Sequence, residues 1–229
     1  FRRLQDKTQV FPLDRSDFIR TRLTHSLEVS SLAKSLGQNI SESIRTIIKD
    51  ETFTPEHKAA VCDILQCAGL IHDIGNPPFG HFGETAIREW FRRNLSKLTF
   101  HGKLIEDVLT EQMKEDFYHF EGNAQALRLV TKLHFLVDEN GMNLTYALLN
   151  TIVKYPVPRW GFGRIRKILK RRRWATTMRM KICSAKYSRP QGQMAAGIPD
   201  IHLEAADDIA YKTADIEDAF IKGFISYYF

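Results

Sequence analysis

Apolar positions recur at helical spacing along most of this chain. From residue 24 to about 50 the series Leu27, Leu32, Leu36, Ile40, Ile44, Ile47 and Ile48 predicts a helix. Thr24 is the expected N-cap, and Gly37 the expected point at which the segment breaks in two. A second helix should open at Pro55-Glu56, since proline is tolerated in a first turn, and run through Val61, Ile64, Leu65, Ala68 and Ile71. It has to stop at Gly75-Asn76-Pro77-Pro78, because proline lacks a backbone donor and disfavours helix in the residue before it. The same periodicity predicts helices over 82–94, 122–136, 144–154 and 202–223. The run Val137-Asp138-Glu139-Asn140-Gly141 reads as a turn suited to a small hairpin. Strand signals are otherwise weak and no internal repeat stands out. The fold class expected is mainly α, a helical bundle with a minor β-hairpin.

Composition narrows the class. With 229 residues, 43% hydrophobic and 26% charged, the chain can bury a core, which excludes disordered, collagen-like and low-complexity classes. No apolar run approaches the ~18 residues that a membrane span requires, and no signal peptide opens the sequence. Cys62, Cys67 and Cys183 are too few and too scattered for a disulfide framework. A reducing, cytoplasmic setting without a membrane partner is therefore expected. The sequence starts on Phe1 and ends on Tyr-Tyr-Phe, as expected of a piece of a longer chain.

Charge is unevenly distributed. The net value is +6, but residues 154–189 hold 13 of the 33 Lys/Arg and no Asp/Glu, leaving 20 basic against 27 acidic residues elsewhere. The expected organisation is one domain over 1–229 interrupted by an atypical basic insert at 156–199. Its run Lys170-Arg171-Arg172-Arg173 suits single-stranded nucleic acid as a partner.

Four places carry metal-ligating side chains within apolar, helical surroundings: His25, the doublet His72-Asp73, the pair His81 and Glu84, and Asp207 with Asp208. The doublet falls at the end of an apolar helix, where an ionised aspartate needs a cation or several donors. Asp207, Tyr211 and Asp215 recur every fourth residue along one helix face, with Asp218 close to the same stripe. Taken singly, an acidic stripe is usually a solvated face. Two imidazoles and two carboxylates together make a mixed nitrogen and oxygen shell, which suits Mn²⁺, Fe²⁺, Ni²⁺, Co²⁺ or Zn²⁺, and Mg²⁺ less readily.

The order His25, His72-Asp73, Asp207 resembles the HD-domain metal-dependent phosphohydrolases, named for that doublet. Longer blocks narrow the likeness: residues 5–13, 20–29, 72–84, 119–125 and 204–211 are similar, in order, to bacterial deoxyguanosine triphosphate triphosphohydrolases. The resemblance implies an HD-domain helical bundle that hydrolyses dGTP, or dNTPs more broadly, to a deoxynucleoside and inorganic triphosphate. It implies His25, His72, Asp73 and Asp207 as ligands of a divalent ion, Mn²⁺ or Mg²⁺ first. Asp207 is preferred to Asp208 because the family's ligand precedes the tyrosine by four positions. His81, Glu84 and His119 would be catalytic. Gln9 and Val10 would lie beside deoxyribose and base, Arg22 on a phosphate, Asn123, Lys154 and Tyr155 in the substrate pocket, and Tyr211 and Asp215 on the sugar side. A homo-oligomer is expected of the complete protein. Residues 160–199 depart from the family's pattern.

Two other readings stay open. A different HD-domain phosphohydrolase, such as a phosphodiesterase or monophosphatase, would not need the blocks around Gln9 or Gly75 to Glu84. A non-catalytic nucleic-acid binder would rest on the basic segment alone.

Overall fold

The computed structural model describes residues 2–12, 16, 18–134, 140–153 and 198–226. Its α-helices are α1 (Arg22–Ser43), α2 (Pro55–Ile71), α3 (Gly80–Asn94), α4 (Ile105–Val108), α5 (Glu111–Tyr118), α6 (Gly122–Arg128), α7 (Tyr146–Thr151) and α8 (Ile198–Ile221). The strands β1 (Thr99–Phe100) and β2 (Lys103–Leu104) form a two-stranded antiparallel hairpin, with Thr99 opposite Leu104. The fold is mainly helical, as expected. The hairpin, however, lies at 99–104. Of the turn expected at 137–141, residues 137–139 lie outside the described residues. No helix among the described residues is long and apolar enough to cross a membrane.

The chain divides into two compact units. The first comprises Phe1–Ile74, Leu144–Ile152 and Ala195–Phe229, and holds α1, α2, α7 and α8. Here α1 packs against α2 and α8, while α2 also meets α7. Leu4, Val29, Ala33, Leu65, Ala68, Leu203 and Ala206 form its core.

The start of α1 differs from the expectation. Thr21, not Thr24, is the N-cap: the Thr24 amide donates to Thr21 Oγ1 at 3.3 Å while Thr24 Oγ1 accepts from the Thr21 amide at 3.0 Å. Thr24 is the third residue of a reciprocal cap, a role that a hydroxyl fills as well as a carboxylate. Nor does the helix break at Gly37. It runs on to Ser43 and closes in a π-helical turn, Ile44–Ile48.

The buried face of α1 is also not the expected one. Leu27 is 53% exposed, Ile47 76% and Ile48 68%, whereas Ser26, Val29, Ser30, Ala33, Gly37 and Ser41 are buried. The reason is close approach of α1 to α2. A Cβ on Gly69 would lie 2.6 Å from Ser30 Cα, and one on Gly37 would lie 2.8 Å from Leu65 Cδ1. Small side chains let the backbones meet, and Ser30 Oγ donates across the seam to the Gln66 carbonyl at 2.8 Å.

A second tie joins the approach to α1 with α8. Arg20 donates to Asp218 Oδ1 at 2.7 Å and to Glu28 Oε1 at 3.0 Å, and also pairs with Glu217. Asp218 is 1% exposed, so this end of the acidic stripe is not a solvated face. Burial alone would lower the basicity of Arg20, but bonds from Glu217, Glu28 and Asp218 outweigh it and raise its pKa.

The second unit comprises Gly75–Asn143 and Val153–Met194, and among the described residues it holds α3 to α6 with the hairpin. α3 packs on α5 and α6. Phe91 and Phe117 meet at a tilt with ring centres 4.4 Å apart, and Leu95, Leu127 and Val130 are buried in this unit. The segment before α3 is tight: a Cβ on Gly75 would lie 2.1 Å from the Gly122 carbonyl oxygen. Phe79 then takes a left-handed conformation (φ 63°) and becomes the N-cap of α3. A bulky residue in that region stores strain that the surrounding structure must hold.

Candidate metal centre and histidine–glutamate cluster

In the first unit, three helices each deliver one potential ligand. His25 sits one turn into α1, His72 is the C-cap of α2 and Asp207 lies within α8. Their donor atoms all fall within 4.8 Å of one another. His25 Nε2 is 3.1 Å from Asp207 Oδ1, and His72 Nε2 is 3.4 Å from the same oxygen.

The His72 tautomer follows from its other nitrogen. Nδ1 lies 2.7 Å from the Gly69 carbonyl, which only accepts, so Nδ1 carries the hydrogen and a neutral ring turns the lone pair of Nε2 outward. Nε2 lies against Asp207 Oδ1 and, at 3.5 Å, Asp73 Oδ1. Imidazole nitrogens and carboxylate oxygens crowd into a buried place, with His25 1% and His72 3% exposed. A cation relieves that crowding, so the residues present fit a divalent ion held by two imidazoles and carboxylate.

Asp73 stands at the rim of this cluster, one oxygen towards His72 and the other paired with the Arg22 guanidinium. Burial pushes the Asp73 carboxyl up, but His72 and Arg22 beside it prevail and hold it below its ordinary value. Arg22 itself is buried, and its Nε has no hydrogen-bond partner among the described residues. Asp208, by contrast, points to solvent and pairs with Lys212 at 3.0 Å, which agrees with the choice of Asp207.

The expected sugar-side residues of this unit are unequal. Tyr211 is 46% exposed and bonds Asp215, whose carboxyl is raised mainly by burial. Asp215 Oδ1 and Gln9 Oε1 are both buried acceptors with no hydrogen-bond partner among the described residues. Val10 is exposed.

The second unit carries His81, Glu84, His119 and Asn123. His81 Nδ1 lies 2.9 Å from Glu84 Oε2, one helical turn on. Glu84 is 2% exposed, and its other oxygen accepts from the Gly122 amide at 2.7 Å. Burial alone would raise the Glu84 carboxyl, but bonds from His81 and Gly122, with the Arg88 charge, bring it below its ordinary value. His119 closes α5, its Nδ1 3.2 Å from the Glu115 carbonyl, and Asn123 donates to Glu121 at 3.3 Å.

Arg88 and Glu121 escaped the sequence reading, although each had a signal. Arg88 is four residues after Glu84 on one helix face, and Glu121 directly precedes Gly122 in a block already singled out. Lys154, Tyr155 and residues 156–197 of the basic segment lie outside the described residues, as does Cys183.

A domain built from helices with this histidine and aspartate order belongs to a recognisable class: the HD-domain model matches residues 22–156, and the chain belongs to that family. Within it, the chain is 49% identical over 231 residues to a deoxyguanosinetriphosphate triphosphohydrolase-like protein of Listeria monocytogenes, covering 99% of this chain and 48% of that protein. It is 38% identical over 260 residues to the deoxyguanosinetriphosphate triphosphohydrolase of Salmonella typhi, covering 98% of this chain and 48% of the relative. A triphosphohydrolase-like protein of Pseudomonas aeruginosa is 40% identical over 226 residues, covering 95% and 48%. The chain thus spans about half the length of the curated relatives it matches.

Proposed function

We propose that this chain carries the metal-dependent phosphohydrolase centre of an enzyme that cleaves dGTP, or dNTPs more broadly, to deoxynucleoside and inorganic triphosphate. The observation that carries the reading is the convergence of His25, His72 and Asp207 from three helices, with Asp73 at their rim. The names of the relatives supply the substrate. His25, His72, Asp73 and Asp207 would hold the ion, Mn²⁺ or Mg²⁺ first, with Fe, Ni, Zn or Co as alternatives. When bound, such an ion supplies positive charge against phosphate oxygens and lowers the pKa of water.

The protein's own groups have distinct tasks in this reading. The orphan Nε of Arg22 offers a phosphate oxygen a charged donor while the rest of the guanidinium stays on Asp73. Gln9 Oε1 and Asp215 Oδ1 are acceptors that deoxyribose hydroxyls would satisfy, and Tyr211 is the wall that excludes a ribose 2′-hydroxyl. His81, its Nδ1 taken by Glu84, has Nε2 left to give a proton to the departing 5′-oxygen. His119, Val10, Asn123, Lys154 and Tyr155 complete the substrate contacts. A cytoplasmic setting and homo-oligomer formation belong to the same reading.

The test is product analysis. The protein at its natural length is incubated with each dNTP and with Mn²⁺ or Mg²⁺. Release of intact triphosphate supports the proposal. Orthophosphate or pyrophosphate would assign a different phosphohydrolase, and salt-sensitive binding of single-stranded nucleic acid without turnover would assign a binding protein.

A further inference from the structure

We propose that Arg88 is a positioning residue for the His81–Glu84 pair, anchored by Glu121, and that it fixes which nitrogen of His81 carries the proton. The inference rests on the reading of His81 as a proton donor given above. Its geometry lies wholly within the second unit.

Arg88 makes three bonds from one side chain. Nε donates to the Phe120 carbonyl at 2.6 Å, and Nη2 is shared between Glu84 Oε2 and Glu121 Oε2, each at 3.2 Å. Gly122 N–H donates to Glu84 Oε1 at 2.7 Å. The stretch Phe120 to Gly122 is therefore latched to α3 by Arg88 and Glu84 together. Arg88 Nη2 donates to Glu84 Oε2 and the Gly122 amide to Oε1, while His81 Nδ1 lies against Oε2. Glu121 is 6% exposed and accepts from the same Nη2, so Arg88 is tied to both carboxylates.

The consequence is chemical. An ionised carboxylate only accepts, so Nδ1–H stays on Glu84, and Nε2, on a side chain 57% exposed, is the nitrogen that takes up a proton and then gives it to the leaving oxygen. Glu84 and Glu121 are both buried, and the Arg88 charge lies between them. Without that charge, a buried carboxyl gains protons more readily. A protonated Glu84 would donate to Nδ1 and reverse the tautomer. A guanidinium reaches a carbonyl and two carboxylates at once, which an ammonium on a single stem does not.

Two experiments on the natural-length protein test this. In the first, histidine nitrogen NMR of the protein without substrate reads the His81 tautomer. Wild type should show Nδ1–H, and Arg88→Ala and Arg88→Lys should shift the ring towards Nε2–H. An unchanged ratio in folded variants overturns the inference, whether or not the protein hydrolyses dGTP. In the second, steady-state hydrolysis with dGTP should show kcat reduced about tenfold or more in Arg88→Ala, with KM and metal content unchanged. Millimolar guanidinium chloride should restore part of that rate, and Arg88→Lys should not. Wild-type kcat in Arg88→Lys, or a change in KM alone, overturns the inference. Variants that fail to fold overturn it as well, since Arg88 would then belong to the framework. An inactive wild type with the expected tautomer change would instead overturn the proposed function and leave the positioning role standing.

Discussion

The two histidine-bearing clusters of this chain solve opposite problems. In the first unit His25, His72 and Asp207 bring their donor atoms within 4.8 Å of one another, an arrangement suited to a cation, while Asp73 pairs with Arg22. In the second, His81, Glu84, Arg88 and Glu121 alternate in charge and satisfy one another through hydrogen bonds at 2.7–3.2 Å. A cluster of imidazole and carboxylate donors suits binding. A complete network marks one that orients a group already present. The histidines are alike in sequence, and their neighbours decide the role.

The largest expected effect breaks the first cluster. His72→Ala and Asp207→Ala should each remove bound metal and reduce dNTP hydrolysis to background, as checked by elemental analysis and product release. His81→Ala should separate the clusters by losing ~10²–10⁴ in rate while metal content stays at the wild-type level. Loss of metal in that variant would make His81 a ligand and erase the distinction.

A smaller effect comes from the helix seam. Gly69 both touches the Ser30 backbone and supplies the carbonyl that fixes the His72 tautomer. Gly69→Ala gains ~1 kcal/mol of helix propensity but has to push α1 away from α2, at a cost of roughly 1–3 kcal/mol. Denaturant titration should show a destabilised fold, with weaker metal binding alongside it, while the His81 tautomer stays as in wild type.

The smallest effect concerns pH. Glu84 is held below its ordinary value by its partners, so it stabilises the fold above the unfolded carboxylate range, ~4.3, and that contribution fades as pH falls through its lowered value. Glu121 is raised, chiefly by burial and then by Glu84, so the folded state binds its proton first and stability declines as pH rises from ~4.3 through the raised value. At neutral pH, Glu84→Gln should therefore destabilise the fold more than Glu121→Gln does. Thermal melts from pH 7 to pH 3 should show the gap closing.

The helices were legible because their stop signals are local: Pro55 opens α2 and the Pro77-Pro78 turn precedes α3. What escaped the sequence was set by neighbours. The leucine and isoleucine stripe of α1 looked like its core face, yet close approach to α2 selected serine, alanine and glycine instead. α5 has eight residues, mostly polar, and carries too little periodicity to register. The metal-centre residues were readable because they resemble a family in order and spacing, and the structure brings His25, His72 and Asp207 together. Arg88 was hidden because its value depends on Glu121 and Phe120, which only the fold brings to it.

The tie between the start of α1 and α8 has a consequence for how the chain acquires its native state. His25 and Asp207 are 182 residues apart in sequence, and Arg20 and Asp218 are 198 apart. Contacts at such separations require a long loop to close before they return any stability, so they form late and slowly. A chain with α1 and α2 already paired holds two imidazoles and lacks the α8 carboxylate. Such a partly folded species would hold His25 and His72 of the candidate site without Asp207, which joins them only when α8 docks.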